Sequence, residues 1–248
     1  MSARLESEER ALDLLEHVLR GLADAEARNN EFVALASHEL RTPISVVHGI
    51  AATLHLHGDK LQRGQVHELR ATLFEQTGRL RDLADQLLDL SRLDAEPLLL
   101  ALEPFRPRER LDALLPRIAA GRLDDIEVKV DPEHEVTTDV LAFERVTANL
   151  ILNALRYGEP PVEVKAVRSD VYSLVVEDHG DGVAPEFVPR LFERFSRGEA
   201  ARQVGAPGAG LGLAIAFTYA RAVGGALRYE QLRPRGARFT FTLPAARR

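Results

Sequence analysis

The 248-residue chain contains no cysteine, which removes disulfides, thiolate nucleophiles and thiolate metal sites from consideration. It has no excess of basic residues. The formal charge is -6 at pH 7, against the cationic face that a nucleic-acid binder usually needs. It has no long apolar run. The longest uncharged stretch, Thr42 to Gly58, holds three histidines and a proline, whereas a membrane span takes roughly 20 mostly apolar residues. The opening MSARLESEER lacks the apolar core of a signal peptide. No internal repeat or low-complexity tract interrupts the chain. These absences predict a cytoplasmic chain with no nucleic-acid partner and no direct membrane contact. What is present is 45% hydrophobic and 28% charged, enough to bury a core in one large domain or two modest ones.

The first part reads as helical. Leu5, Glu8, Leu12, Leu15, Leu19, Leu22, Glu26 and Asn29 alternate in threes and fours, the spacing of a heptad seam weakened by polar members. An ordinary amphipathic helix is the plainer reading. A second periodic run follows at Leu69, Leu73, Gln76, Leu80, Leu83, Leu87 and Leu90. Between the helical runs lies HGDKLQRG, with Gly58 and Gly64 expected to bracket a polar turn. Two long helices with a short connection predict a hairpin. One hairpin cannot bury both faces, so two are expected to pair as the four-helix bundle of a homodimer.

The pattern breaks at Glu96-Pro97, and a second domain is expected to begin near Pro104. The boundaries read as an N-terminal helix or coiled-coil extension over 1–28, a helical domain over 29–96, a linker over 97–103 and an α/β domain over 104–248. Leu111 to Ile118, Val140 to Tyr157 and Ala214 to Val223 read as helices. Strands are expected at 126–130, 162–167, 172–176, 227–229 and 237–243. This order suits an α+β fold: a mixed sheet with helices on one face, a two-layer α/β sandwich.

Four places carry candidate chemistry. His38 lies in LASHELRTPI beside Glu39. A neutral imidazole is a nucleophile, and a carboxylate can hold one ring nitrogen protonated while the other attacks. An exposed, solvated pair is the alternative. Pro43, inside the same helix, is expected to bend it and free a carbonyl. His48, His55, His57 and His67 lack such context and read as hairpin surface. Asn149 and Asn153 share a face of the Val140 to Tyr157 helix, with Arg156 and Tyr157 on the same edge. Neutral oxygens beside a cation suit a magnesium ion carrying phosphate, while a plain polar face is the other reading. DHGDG, from Asp178, follows an apolar strand, and Gly180 and Gly182 permit a sharp turn or a close approach. It reads either as an adenine acceptor or as an acidic turn. Gly205, Gly208, Gly210 and Gly212 run directly into a helix, where free N–H groups can face an anion. The stretch Glu193 to Val204 before them reads as a lid or a surface loop, from which Arg194 and Arg197 can reach phosphate.

Together these segments resemble the sensor histidine kinase family. SHELRTP, ending at Pro43, resembles its phosphoacceptor box, and NLILNALRY, from Asn149, its N box. DHGDG resembles the first glycine box, LFERF, from Leu191, the F box, and GAGLGLAI, from Gly208, the second glycine box. The glycine pair Gly224-Gly225 closes the series, all in family order from about Asn29 onward.

The resemblance implies ATP and Mg²⁺ as cofactors, a homodimer, and a response regulator receiver domain as partner. It makes His38 the phosphoacceptor, Glu39 its general base and Thr42 the residue that positions water for dephosphorylation. It makes Asn153 the metal ligand, with Asn149 close to metal and phosphates. Arg156, Tyr157, Asp178, Gly180, Gly182, Arg194, Arg197, Gly208, Gly210, Leu211 and Gly212 would form the nucleotide site, Asp178 taking the adenine amino group. The implied fold is a dimeric helical hairpin, the phosphotransfer domain over 29–96, followed by an ATP-binding sandwich of the type shared with heat-shock chaperones and gyrase. The chain would be cytoplasmic, or the cytoplasmic part of an inner-membrane sensor. His179, Ala209 and Val223 depart from the family's frequent Asn, Thr or Ser, and His. Alternatives are an ATPase of the chaperone and gyrase fold, a degenerate kinase acting as scaffold or phosphatase, and a purely structural coiled coil.

Overall fold

The computed structural model describes residues 30, 32–95, 99–119, 121–198 and 209–244. The expected heptad seam from Leu5 to Asn29 lies outside the described residues, as do Gly205, Gly208 and residues 199–204 of the expected lid. The chain divides into two compact units between Leu80 and Arg81. That division falls within a helix, ahead of the Glu96-Pro97 break at which the helical pattern stops.

Helix α1 covers 32–57 and α2 covers Arg63–Ala95. Ala36, Pro43 and Ile50 are buried at a spacing of seven, and so are Gln76, Leu83 and Leu90 on α2. A strict seven-residue repeat is the pattern of a bundle seam. Helical structure continues through Pro43, so the proline removes a hydrogen bond to the Glu39 carbonyl without ending the helix. The connection is a short 3-10 turn, Gly58–Lys60. Gly64 does not bracket it, as the sequence suggested, but lies in the first turn of α2. The start of that helix is set instead by Gln65, whose Oε1 accepts the Gln62 backbone N–H at 2.9 Å, one half of a capping box.

In the second unit, a five-stranded sheet has the order β2-β4-β5-β7-β6, formed by Ile126–Lys129, Val162–Arg168, Tyr172–Glu177, Ala237–Thr242 and Ala226–Gln231 respectively. β2 pairs parallel with β4, and the other pairings are antiparallel. Two short strands that the sequence did not suggest, β1 (Leu102–Phe105) and β3 (Val136–Asp139), form a separate antiparallel pair. Helices α3 (Pro107–Ile118), α4 (Val140–Tyr157) and α5 (Gly212–Ala222) complete the fold. α4 packs on both α3 and α5 and on the sheet.

Strand alternation sorts the two faces. Val162, Val164, Phe239 and Phe241 are buried with Phe143, Leu150 and Ile215 from the helices. Phe143 sits edge-on to Phe105 at 5.2 Å and near Phe241 at 6.3 Å. Burial of each such side chain stabilises by roughly 1.5–3 kcal/mol. The other face carries Lys129, Glu163, Lys165, Glu177, Arg238 and Glu230 in ion pairs. One face apolar and one charged makes two layers, as expected.

Candidate active site

His38 lies on α1 with its side chain 75% exposed. Its Nδ1 is 3.8 Å from Glu39 Oε1, and the Glu39 side chain is 34% exposed. The separation is too long for a hydrogen bond, so the two side chains stand side by side at the surface without a direct bond. Thr42 is exposed one helical turn beyond His38, on the same face. His48, His55, His57 and His67 are exposed, in line with a surface reading. Among the described residues no group of three or more His, Asp or Glu side chains is arranged to hold a metal.

The second unit contains a cavity of about 960 Å³, the size range of sites for small molecules. Asn149, Asn153, Arg156 and Tyr157 line it from α4, Asp181 to Ala184 from the turn after β5, and Ala209 to Gly212 from the entry to α5. Their convergence follows from helix geometry. α4 is capped by Asp139, whose Oδ1 accepts the Ala142 N–H at 2.8 Å. It buries Phe143, Val146, Leu150 and Ile151, so the Arg145, Asn149, Asn153 edge is left to the cavity.

Asn149 Nδ2 donates to the Arg145 carbonyl at 2.8 Å. Its Oδ1 therefore points the other way, toward Gly212, where an added Cβ would lie 2.7 Å from it. A glycine at the first position of α5 keeps this acceptor clear. The N-terminal residue Leu211 gives α5 no side-chain cap, so the first N–H groups of the helix are available to an anion. Gly210 has φ +72, and a Cβ there would lie 2.7 Å from the Ser196 carbonyl. This is a position that only glycine fits. The site thus offers neutral amide oxygens, free helix N–H groups and the Arg156 and Arg197 cations around one space. That donor set fits a triphosphate with a hard divalent cation.

The sequence-predicted residues do not all reach the cavity wall. Asn149, Asn153, Arg156, Tyr157, Gly182, Arg197, Gly210, Leu211 and Gly212 line it. Asp178, Gly180 and Arg194 do not, and Gly208 is outside the described residues. Asp178 is buried at the end of β5. Its Oδ1 accepts the Gly180 N–H at 2.9 Å and the Ala237 N–H at 3.4 Å, leaving Oδ2 for a further donor. Burial pushes its pKa up, partly offset by those two backbone bonds. Gly158 went unnoticed in the sequence: a Cβ there would lie 2.4 Å from Asp178 Cβ. Gly180 in turn approaches Gly158, 2.8 Å from an added Cβ to Cα. Glycine at both positions lets the end of α4 and the acidic turn touch.

Asp89, near the end of α2, is a second feature the sequence did not reveal. It is 3% exposed, and its Oδ2 lies 3.1 Å from Arg145 Nε. That N–H does not aim at the oxygen, so the contact is an ion pair without a hydrogen bond. The Tyr219 hydroxyl donates to Asp89 Oδ1 at 3.4 Å. Burial raises the Asp89 pKa against the lowering pull of Arg145 and Arg92.

Two family models match the chain. The His Kinase A phospho-acceptor domain covers residues 28–96, and the ATPase domain of the histidine kinase, DNA gyrase B and HSP90 type covers 138–247. The signal transduction histidine-protein kinase AfsQ2 of Streptomyces coelicolor is 30% identical over 94% of this chain, which spans 45% of that protein. The Acinetobacter baumannii histidine kinase AdeS has a TM-score of 0.66 at 27% identity, covering 85% of this chain and 98% of that one. A mycobacterial sensor histidine kinase MprB is 33% identical with a TM-score of 0.50, covering 58% of this chain and 97% of that one. The chain belongs to the bacterial sensor histidine kinases of two-component systems, and it carries both their phosphoacceptor and their ATP-binding domains. It spans less than half the length of AfsQ2.

Proposed function

We propose that this chain moves the γ-phosphate of ATP to its own His38 and passes it to the aspartate of a response regulator receiver domain. The observation that carries this reading is one chain holding both parts of the reaction. It has an exposed imidazole with Glu39 beside Nδ1, and a cavity lined by amide side chains, arginines and the start of a helix. In the transfer, His38 Nε2 forms a bond to the γ-phosphorus while the bond to the bridging oxygen breaks and ADP leaves. Glu39 takes up the Nδ1 proton that the phosphoimidazole no longer needs. Asn153, with Asn149 on the same face of α4, would hold Mg²⁺, which when bound would draw off the charge of the phosphate oxygens. The N–H groups at the start of α5, with Arg156 and Arg197, orient the phosphates. Asp178 Oδ2 receives the adenine amino group.

The chain acts as a homodimer in the cytoplasm, where ATP and the receiver domain are found, either alone or as part of a larger inner-membrane sensor. Thr42, on the His38 face of α1, positions water for the reverse task of dephosphorylating the partner. Simple ATP hydrolysis, the activity of the chaperone and gyrase relatives of the fold, leaves the His38 and Glu39 pair without a task. The test is incubation with γ-labelled ATP and Mg²⁺. Label that is lost in acid and kept in base identifies phosphohistidine. His38→Ala is expected to abolish labelling while nucleotide affinity stays within about twofold, less than ~0.5 kcal/mol. Equal labelling of wild type and His38→Ala overturns the assignment.

A further inference from the structure

The turn that walls the nucleotide cavity is held from outside by a side chain that the sequence boxes do not include. Gln231 is the last residue of β6, opposite Ala237 of β7. Its Nε2 donates to the Asp181 carbonyl at 3.1 Å and to the Gly236 carbonyl at 3.1 Å. Its Oε1 accepts the Val183 N–H at 3.2 Å and also the Tyr229 hydroxyl. The Tyr229 oxygen itself accepts the same Val183 N–H at 2.9 Å. Both donors and the acceptor of the amide are therefore engaged, and only one amide orientation satisfies them.

Gly182 shows how tight the arrangement is. It has φ +78, and a Cβ there would lie 2.1 Å from the Gln231 amide. The glycine thus serves a left-handed turn and a flat approach of the amide at once. The other end of the contact leads to Asp178. A Cβ on Gly236 would lie 2.2 Å from the Asp178 carbonyl. The neighbouring Ala237 carbonyl accepts the Asp178 backbone N–H at 3.0 Å, and the Ala237 N–H donates to Asp178 Oδ1 at 3.4 Å. A second tie runs beside the first: Arg235 Nη2 donates to Asp181 Oδ1 at 2.8 Å and to Glu159 Oε1 at 3.0 Å.

We propose that Gln231, with Tyr229, is a positioning residue for ATP: it fixes the Asp181–Val183 wall against the β6–β7 hairpin so that wall and Asp178 keep one spacing before nucleotide arrives. Asp181, Gly182 and Val183 line the cavity and Gln231 does not, so it acts through the turn and touches no substrate. A wall held in place in the free protein spares the ligand the cost of ordering it. The loss on removing Gln231 falls on ATP binding and far less on the transfer step, whose groups lie on α1, α4 and α5.

The inference rests on the kinase reading above. The full chain is assayed for autophosphorylation at varied ATP and for ATP affinity by calorimetry, with thermal unfolding of each nucleotide-free variant as a folding control. Gln231→Ala is expected to raise KM and Kd for ATP about tenfold, or ~1.4 kcal/mol, while kcat changes less than about threefold. Gln231→Glu keeps shape and acceptors but turns an oxygen toward the Asp181 and Gly236 carbonyls, so it is expected to do no better than Ala. Tyr229→Phe is expected to raise KM by a smaller factor. The double variant is expected to lose less than the two single losses combined, because both act on one turn. Wild-type affinity in Gln231→Glu and Tyr229→Phe overturns the proposal, and so does a fall in kcat with unchanged KM. If the wild type itself binds no ATP, the kinase reading has failed instead. If the wild type binds and the variants bind equally, only the role of Gln231 has failed.

Discussion

Asp178 shows how much of this site depends on one carboxylate and the space around it. Oδ1 is committed to the Gly180 and Ala237 N–H groups, and burial raises the pKa. The remaining oxygen is an acceptor in a poorly solvated place, where a donor is worth more than at the surface. Asp178→Asn puts an amide N–H either against the backbone donors or against the incoming adenine amino group. The expected result is a loss of ATP affinity of about 1.5–3 kcal/mol, read by calorimetry with a non-hydrolysable analogue. Unchanged affinity would reduce Asp178 to a turn residue. The acidic turn was visible as DHGDG, but Gly158 was not, because its role is to make room for a residue twenty positions later. Only the contact between α4 and β5 reveals that need.

The sheet makes the same point at the level of elements. β5 carries Glu177 between two cations, Lys165 Nζ at 2.7 Å from β4 and Arg238 Nε at 2.6 Å from β7. Burial acts to raise the Glu177 pKa, but Lys165 and Arg238 together hold it below the ordinary value of 4.5. A carboxylate depressed in the folded state stabilises fully above its unfolded pKa, and that stabilisation is lost as pH falls through the folded pKa. Glu177→Gln is therefore expected to lower stability by about 1–2 kcal/mol at neutral pH. The gap from wild type should close once the solution is acidified below the ordinary glutamate range. Denaturant unfolding across pH measures this, and a gap that persists in acid would show that shape and not charge is responsible. β1 and β3 escaped the sequence because their partners are distant. Leu102–Phe105 contains Pro104 and buries only Phe105, and it becomes a strand by pairing with Val136–Asp139.

For the whole molecule, the question is what covers the helical hairpin. A single chain leaves Phe74 at 83% and Leu56 at 68% exposed, with Ile44, Val33 and Leu88 also above half. Leu69, Leu73, Leu80 and Leu87 are only half-buried. A second copy covering these positions would gain roughly 1.5–3 kcal/mol for each large side chain buried, enough in sum to outweigh the cost of association. Leu80→Glu combined with Leu87→Glu is expected to convert dimers to monomers, read by light scattering over a range of concentrations. A wild-type mass matching one chain at micromolar concentration would contradict the bundle. Gln76, only 9% exposed within the seam, is placed to fix register more than to add stability.

The sequence by itself determined the helices found among the described residues, the five main strands and the residues that could bear chemistry, because each is written locally. Asn149 and Asn153 share a face by helical period, and glycine runs mark the sharp turns. His38 and Glu39 are neighbours in the chain, so their 3.8 Å approach needs no tertiary contact. What only the tertiary structure decided was pairing across long stretches of chain. It set the parallel β2–β4 contact, the Asp89 contact with Arg145 and Tyr219, and the Gln231 bonds to a turn fifty residues earlier. Such contacts form between groups whose separation along the chain carries no periodic signal. Their geometry is fixed by how the packed layers bring strand ends and helix edges together.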